Sequence, residues 1–144
     1  MTTNAERAHV LAGLLRAALD ADEVVIATLC TEDVRVWTPT YSVSSRTELL
    51  ASLGRRNEAM SEVDVTLRTL DVGDSRACAE WTVTFTHSGP IARANDVLQA
   101  SGARATVHGI TVAEFDGDQI CAIRQYSDEA IVLDRLPVGD EPDA

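Results

Sequence analysis

The stretch ATVHGITVAEFDGDQICAIRQYSD, residues 105–128, decides the fold of this chain. Apolar and small residues alternate with polar ones on both sides of Asp116-Gly117-Asp118, and Asp-Gly is a common hairpin turn. The stretch therefore predicts two long antiparallel strands that meet at this turn. It ends in Arg-Gln-Tyr-Ser-Asp, residues 124–128, where a strand gives way to a short helical segment over residues 129–136.

The period of the apolar residues changes at Met60, and this change divides the rest of the chain. Before Met60, apolar residues recur every three or four positions and predict helices over residues 4–19 and 21–30. A third helix is predicted to begin at Ser45, because Ser45-Arg-Thr-Glu48 has the spacing of a capping box.

Strands are predicted by alternation with a period of two. The strongest alternation runs over residues 76–87, where Ala77, Ala79, Trp81, Val83 and Phe85 share one face. Residues 63–70 precede it as a partner strand, and residues 34–38 form a short strand that stops before Pro39. Helices that precede a run of antiparallel strands are typical of the α+β class, with the helices on one face of a curved sheet.

Length and charge limit the possible functions. The chain has 144 residues and a net charge of −11, and no repeat or linker divides it. We expect one domain over residues 1–136 and an acidic, disordered tail over residues 137–144. The charge argues against a nucleic-acid partner and against docking to anionic membranes.

Three cysteines, Cys30, Cys78 and Cys121, lie far apart in apolar contexts. We interpret them as small buried residues in a reducing cytoplasm, because an odd number at these spacings suits neither a disulfide framework nor a metal site. No metal or other cofactor is predicted. We expect no secretion signal, because the first residues show no basic-then-apolar pattern, and no apolar run approaches the length of a membrane span.

The first strand of the final hairpin carries apolar or small residues on both faces. Gly109 and Thr111 share one face, whereas Ile110 and Val112 lie on the other. A sheet covered by helices on one side should be polar on its open side. The open face is therefore expected to be buried as well, and a homodimer is the simplest way to bury it.

Five motifs, taken in order, carry a resemblance to a known family. They are EDVRVWTP (32–39), SRTELL (45–50), EWTVTFTHSG (80–89), VHGITVAEFDG (107–117) and the ending over residues 124–136. In their order and spacing the chain resembles the nuclear transport factor 2-like superfamily, and within it the SnoaL-like branch of polyketide cyclases and ketosteroid isomerase-like proteins. The resemblance implies a cone-shaped α+β barrel, a deep pocket between sheet and helices, and usually a dimer.

The resemblance also locates the positions that carry chemistry in related enzymes. The ketosteroid isomerase base precedes a proline, where this chain has Thr38, and the oxyanion tyrosine corresponds to Leu15. Thr111 stands where a protonated acid or, in cyclases, a histidine is found. Gln125 stands where cyclases and epoxide hydrolases carry an acid. An amide has no useful pKa, and none of the four can act as an acid or base.

The interpretation that follows is a pocket protein for a small, largely apolar organic molecule, with Thr38, Tyr41, Thr111 and Gln125 as its polar lining. Whether the protein is an enzyme stays open. A diverged cyclase, isomerase or dehydratase would have to use other acid or base groups. The candidates are Glu80, His87 and His108. A third alternative is a module that only dimerises or binds other proteins.

Overall fold

A computed structural model describes residues 3–73, 75–93 and 95–137, in which three helices precede the long strands after residue 59. These are α1 (Asn4–Asp20), α2 (Glu23–Leu29) and α3 (Arg46–Glu58). A capping box starts α1, in which Thr3 and Glu6 each accept the backbone N–H of the other. The α3 box is one residue wider than predicted, because the Glu48 carboxylate accepts from the Ser44 N–H rather than from Ser45.

Six strands form one mixed sheet, and two short strands form a separate hairpin. The strands are β1 (Cys30–Trp37), β2 (Ser42–Val43), β3 (Met60–Gly73), β4 (Arg76–His87), β5 (Ile91–Ala92), β6 (Val97–Leu98), β7 (Arg104–Asp116) and β8 (Gln119–Ser127). The large sheet has the order β2-β1-β8-β7-β4-β3, and a short helix α4 (Glu129–Asp134) follows it. The α+β class predicted from the sequence is confirmed.

The β1 strand pairs with β8 in parallel, whereas the other neighbouring strands in the large sheet pair antiparallel. The β1 strand also begins at Cys30, four residues before the predicted start, and the predicted second helix ends correspondingly earlier at Leu29. Cys30 pairs with Ile120 of β8, and the register between the two strands is irregular from Cys30 to Arg35, so the early start rests on this one distant pair. Of the predicted tail, only Pro137 lies within the described residues.

The inner face of the sheet packs against the helices in two groups of buried side chains. The first group joins α1, α2 and α3 to one half of the sheet and includes Leu11, Ile26 and Ile120, all fully buried. The second group surrounds Trp81 and Phe85 on β4. The predicted alternation along β4 is confirmed, since every second residue from Ala77 to His87 is buried.

The outer face of the sheet has no helix on it in the described part of the chain. Trp37, Ile110 and Tyr126 are exposed there to 45%, 36% and 49%, and the Trp37 and Tyr126 rings lie 5.3 Å apart between centroids. Ion pairs between neighbouring strands flank these apolar groups, such as Arg124–Glu114 at 3.2 Å. Among the described helices, none is both long and apolar enough to cross a membrane.

Candidate functional site

A cavity of about 70 Å³ lies between the inner face of the sheet and the helices and opens to solvent on one side. Its walls are mainly apolar. They are formed by α1, β3, β4 and β7 through Leu15, Ala18, Leu19, Met60, Val65, Trp81, Val83, Phe85 and Val107. Alternation on the strands and the helical repeat on α1 aim these side chains at a common space. Such a surface suits the apolar body of an organic molecule.

Gln125 is a polar residue of this cavity, and a chain of hydrogen bonds holds it. The Trp81 indole Nε1 donates to Thr111 Oγ1 over 2.9 Å, and the Thr111 hydroxyl donates to Gln125 Oε1 over 3.2 Å. The three residues lie on β4, β7 and β8, adjacent strands in the sheet. Thr111 is fully buried and does not itself line the cavity. It therefore supports Gln125 from behind.

Gly109 makes the room that the Trp81 indole occupies. The two residues are direct partners across β4 and β7, and a Cβ at Gly109 would lie 2.3 Å from the indole Cζ2 atom. Any side chain there would push the ring away from the sheet. With glycine in place, the indole lies against β7 and its N–H reaches Thr111, two residues further along. A glycine within a strand often signals such a close approach.

Two charged residues that the sequence did not reveal as site residues also line the cavity. Arg56 comes from the end of α3, and Glu129 comes from the start of α4. The Arg56 Nε atom is buried without a hydrogen-bond partner in the described residues. Glu129 lies one position outside the hairpin stretch of residues 105–128. Both lie near helix ends, and the motifs that predicted those helices did not mark these two side chains as inward-facing.

Thr38 and Tyr41 lie together elsewhere, in the turn between β1 and β2. The buried Thr38 hydroxyl donates to the Tyr41 carbonyl at 3.0 Å and accepts the Tyr41 backbone N–H at 3.1 Å. Neither residue is part of the cavity wall. The hydroxyl is used to hold the chain reversal after Pro39, a familiar local role for threonine.

His87 is fully buried at the end of β4 and bonds to the loop that leads into β7. Its Nδ1 accepts the Ser101 backbone N–H at 3.2 Å and lies 2.9 Å from Ser101 Oγ. Because Nδ1 is an acceptor, the neutral ring carries its proton on Nε2. That Nε2 atom is buried and has no partner among the described residues. The contacts of Nδ1 hold the loop; His87 is not part of the cavity wall.

Glu80 and His108 lie on the outer face, opposite to the cavity. Glu80 pairs with Arg68 at 3.4 Å, and the His108 ring lies 3.4 Å from the Asp128 carboxylate. Asp128 also accepts the His108 backbone N–H at 2.8 Å. Asp128 stands at the α4 N-cap position, but its side chain makes no capping bond there. Its carboxylate fastens β7 to the end of β8 instead.

Cys30 and Cys121 are free thiols. Cys30 is fully buried, whereas Cys78 and Cys121 are partly buried. Burial raises the pKa of the Cys30 thiol to about 11, and the nearby Arg46 guanidinium offsets this only in part. The pKa of Cys121 is also raised, first by burial and then by Asp116. Both thiols therefore stay protonated and unreactive at neutral pH.

Several solved structures share this architecture. A protein from Jannaschia sp. CCS1 proposed to be a SnoaL-like polyketide cyclase is 15% identical, with a TM-score of 0.82 over 96% of this chain and 95% of that one. AclR from Streptomyces galilaeus, proposed to be a hydroxylase, is 19% identical, with a TM-score of 0.76 over 98% and 87%. TsrD from Streptomyces laurentii is 20% identical, with a TM-score of 0.78 over 94% and 97%.

The sequence comparisons give the family directly. Comparison with curated proteins finds no significant match. The family model for the SnoaL-like domain matches residues 12–123, which span α1 to the middle of β8 and include most of the cavity wall. The cone-shaped α+β fold expected from the sequence motifs is confirmed by these neighbours. The chain belongs to the SnoaL-like domain family.

Proposed function

We propose that the protein binds a small, largely apolar organic molecule in the cavity between α1 and the sheet. The observation that carries this proposal is the cavity wall, which is apolar except for Gln125, Arg56 and Glu129. Binding buries the apolar body of the ligand, and the few polar groups fix its orientation. A module that only binds other proteins would have no need of this space, and filled apolar packing would be expected there.

A cavity-filling substitution tests the binding proposal. Ala18 lines the cavity from α1, whereas Ala51 is exposed on α3. We expect Ala18→Phe to weaken binding of an apolar three-ring probe such as fluorene at least ten-fold. Ala51→Phe should leave the affinity unchanged. Equilibrium dialysis gives the affinities, and circular dichroism confirms that both variants are folded. Equal affinities of the two variants would contradict the proposed site.

An enzyme is the second candidate, and the position of Glu129 favours it. A carboxylate in an apolar cavity can serve as a general base, and Glu129 lines the same space as Gln125. In such an enzyme, Glu129 would take a proton from the carbon next to a substrate carbonyl. The electron pair would move to the carbonyl oxygen, where the Gln125 amide can donate a hydrogen bond. Glu80 and His108, which face outward, are placed for no such step.

Hydrogen–deuterium exchange distinguishes an enzyme from a binding protein. A ketone with exchangeable α-protons, such as 1-tetralone, is incubated with the protein in D2O and followed by NMR. An enzyme should accelerate exchange, and Glu129→Gln should reduce that acceleration at least a hundred-fold while ketone binding persists. His87→Gln, outside the cavity wall, serves as the matched control. Tight binding of the ketone without accelerated exchange would support the binding proposal and contradict the enzyme proposal.

We also propose that two copies pair through the outer face of the sheet. An outer apolar patch, comprising Trp37, Ile110 and Tyr126, is open to solvent in the single chain. Ile110 and Tyr126 are direct partners across β7 and β8, so the patch is continuous. Ion pairs such as Arg68–Glu80 border the patch, so positive and negative side chains both lie at its rim. A second copy can meet them with complementary charges.

Sedimentation velocity at micromolar concentration tests the dimer. We expect a dimeric mass for the wild-type chain and a monomeric mass for Ile110→Lys. Val24 is a suitable control, because it is an apolar residue exposed to 77% on α2. Val24→Lys should stay dimeric. A monomeric wild-type chain would contradict the proposal.

A cytoplasmic location completes the proposal. Its support is chemical, since Cys30 and Cys121 are thiols outside any disulfide, and Cys121 is only partly buried. Such thiols persist in a reducing compartment. Fractionation of cells that express the tagged chain would test this, and recovery outside the cytoplasm would contradict it.

A further inference from the structure

The hydrogen bonds that join Trp81, Thr111 and Gln125 fix which end of the Gln125 amide faces the cavity. We call this the polarity of the cavity. We propose that Gln125 always presents its N–H groups to the ligand, and that the ligand is an apolar molecule with a hydrogen-bond acceptor at that end. Trp81 and Thr111 are then positioning residues that act through Gln125. The inference rests on the proposed binding function and names the class of ligand.

The direction of hydrogen-bond donation from residue to residue is set by the Trp81 indole. An indole N–H can only donate, so the Thr111 hydroxyl oxygen accepts from Trp81. The Thr111 hydroxyl is fully buried, and its own proton needs an acceptor, because an unpaired buried hydroxyl is costly. Gln125 Oε1, at 3.2 Å, is that acceptor. The amide is therefore held with its oxygen toward the sheet.

The consequence for the ligand lies at the other end of the amide. With Oε1 engaged, Gln125 Nε2 makes no hydrogen bond to any residue that the structure describes, and Gln125 lines the cavity. A ligand group that docks there gains a hydrogen bond if it accepts, as a ketone oxygen does. A ligand group that donates would bury two opposed N–H or O–H donors against each other. A flipped amide would remove the acceptor from Thr111.

Arg56 strengthens the same preference, and Glu129 complements it. The Arg56 guanidinium can only donate, and its buried Nε lacks a partner in the described residues. Glu129 supplies an acceptor in the same wall from α4. The cavity thus offers donors from α3 and β8 and an acceptor from α4. An acceptor on the ligand is directed to Gln125, and any donor it carries is directed to Glu129.

Three probes of nearly the same shape test the polarity. Fluorene has no hydrogen-bonding group, 9-fluorenone has a carbonyl acceptor, and carbazole has an N–H donor without an acceptor. We expect the wild-type protein to bind fluorenone about five-fold more tightly than fluorene, as one neutral hydrogen bond allows. Carbazole should bind more weakly than fluorenone, because its N–H cannot bond to the Gln125 N–H groups. The Gln125 side-chain amide proton resonances should shift downfield with fluorenone and not with fluorene.

Two variants separate the polarity from the shape of the cavity. Gln125→Glu replaces the donor with an acceptor of the same size, so the order of fluorenone and carbazole should reverse. Thr111→Val removes the hydroxyl while keeping the volume, so the amide is free to turn. The fluorenone-to-carbazole affinity ratio should then fall several-fold, with little change for fluorene. A purely structural role of Thr111 would weaken all three probes alike.

The outcomes distinguish the two proposals. If none of the probes binds, the proposed pocket function fails and this inference fails with it. If all three bind equally, or if carbazole is preferred, the pocket stands and the fixed polarity is overturned. A uniform loss of all three probes in Thr111→Val would also overturn the positioning role. The expected order in the wild-type chain, together with its reversal in Gln125→Glu, would establish the ligand class.

Discussion

The two tryptophans of this chain lie on opposite faces of the same sheet. Trp81, on the inner face, is 8% exposed, and its N–H is bonded to Thr111. Trp37, on the outer face, is 45% exposed and contacts the Tyr126 ring. Alternation assigns Trp81 to the face of Val83 and Phe85 and Trp37 to the face of Arg35, but it does not say how deeply each ring is buried. The difference comes from their partners, which are a glycine and a buried hydroxyl for Trp81 and solvent for Trp37.

This comparison teaches that apolar content alone does not identify the site. The inner face uses its apolar side chains as the wall of a cavity, and the buried Trp81 indole and Thr111 hydroxyl bond to each other. The outer face mixes apolar side chains with exposed ion pairs, of the kind that contribute little to stability. The inner face is therefore suited to a small ligand. The outer face is suited to a broad partner such as a second copy.

Truncating one isoleucine on each face is the strongest test of this comparison. Ile120 is fully buried in the inner core, whereas Ile110 is 36% exposed on the outer face. Ile120→Ala should lower the free energy of unfolding by about 2–5 kcal/mol, because it removes buried methyl groups and leaves a cavity. Ile110→Ala should cost less than about 1 kcal/mol in the monomer. Urea denaturation at low protein concentration measures both, and similar costs would contradict the distinction between the faces.

Alkaline pH should weaken the inner core through Cys30. Its folded pKa of about 11 exceeds the ordinary thiol value of 9.0, so the folded state binds the proton more tightly than the unfolded state. This contribution is fully present below pH 9, and it is lost as the pH rises through 11. The loss is about 2–3 kcal/mol for two pKa units.

The Cys30 effect is isolated by comparing variants rather than by the wild-type curve alone, since other groups titrate at high pH. Cys30→Ala removes the thiol, so its unfolding free energy should fall less steeply between pH 9 and 11 than that of the wild type. Cys121→Ala, at a partly buried thiol, is the matched control. Parallel curves for wild type and Cys30→Ala would show that the Cys30 thiol is not buried as described.

Adding a methyl group beneath Trp81 should have a smaller effect on the free energy of unfolding, and it tests how Trp81 packs on the inner face. Gly109→Ala should cost about 1–3 kcal/mol, because the new Cβ collides with the indole and the strained contact has to relax. A Cβ at Gly54, inside α3, would meet no atom within 4 Å, so Gly54→Ala should stabilise by about 1 kcal/mol. Thermal unfolding measures both. Opposite signs are expected, and a neutral Gly109→Ala would mean that the indole does not rest on this glycine.

Much of the fold could be predicted from local patterns, because those patterns have local causes. The bounds of β4, Arg76–His87, agree with the prediction residue for residue, since its alternation is uninterrupted. The starts of α1 and α3 are set by side chains that cap nearby backbone groups. In contrast, the early start of β1 at Cys30 comes from pairing with β8, and no feature near Cys30 indicates that distant partner.

The site was less accessible to sequence reasoning for the same reason. The resemblance pointed to Thr111 and Gln125, which the structure brings together in one hydrogen-bonded chain. It also pointed to Thr38, whose hydroxyl is used in a local turn. Arg56 and Glu129 line the cavity because α3 and α4 end and begin beside it. Such positions depend on how whole elements pack, and a one-dimensional pattern does not contain that information.

The parallel pairing of β1 with β8 has a consequence for how the chain acquires its structure. The ladder joins Cys30 to Ile120 and Trp37 to Arg124, so it closes a loop that contains most of the sequence. Closing so long a loop is slow, and it waits until the last strand is available. Until then β1 has an unpaired edge that other chains can join. Glu32 and Asp33, both exposed on that strand, place charge where such unwanted pairing would start.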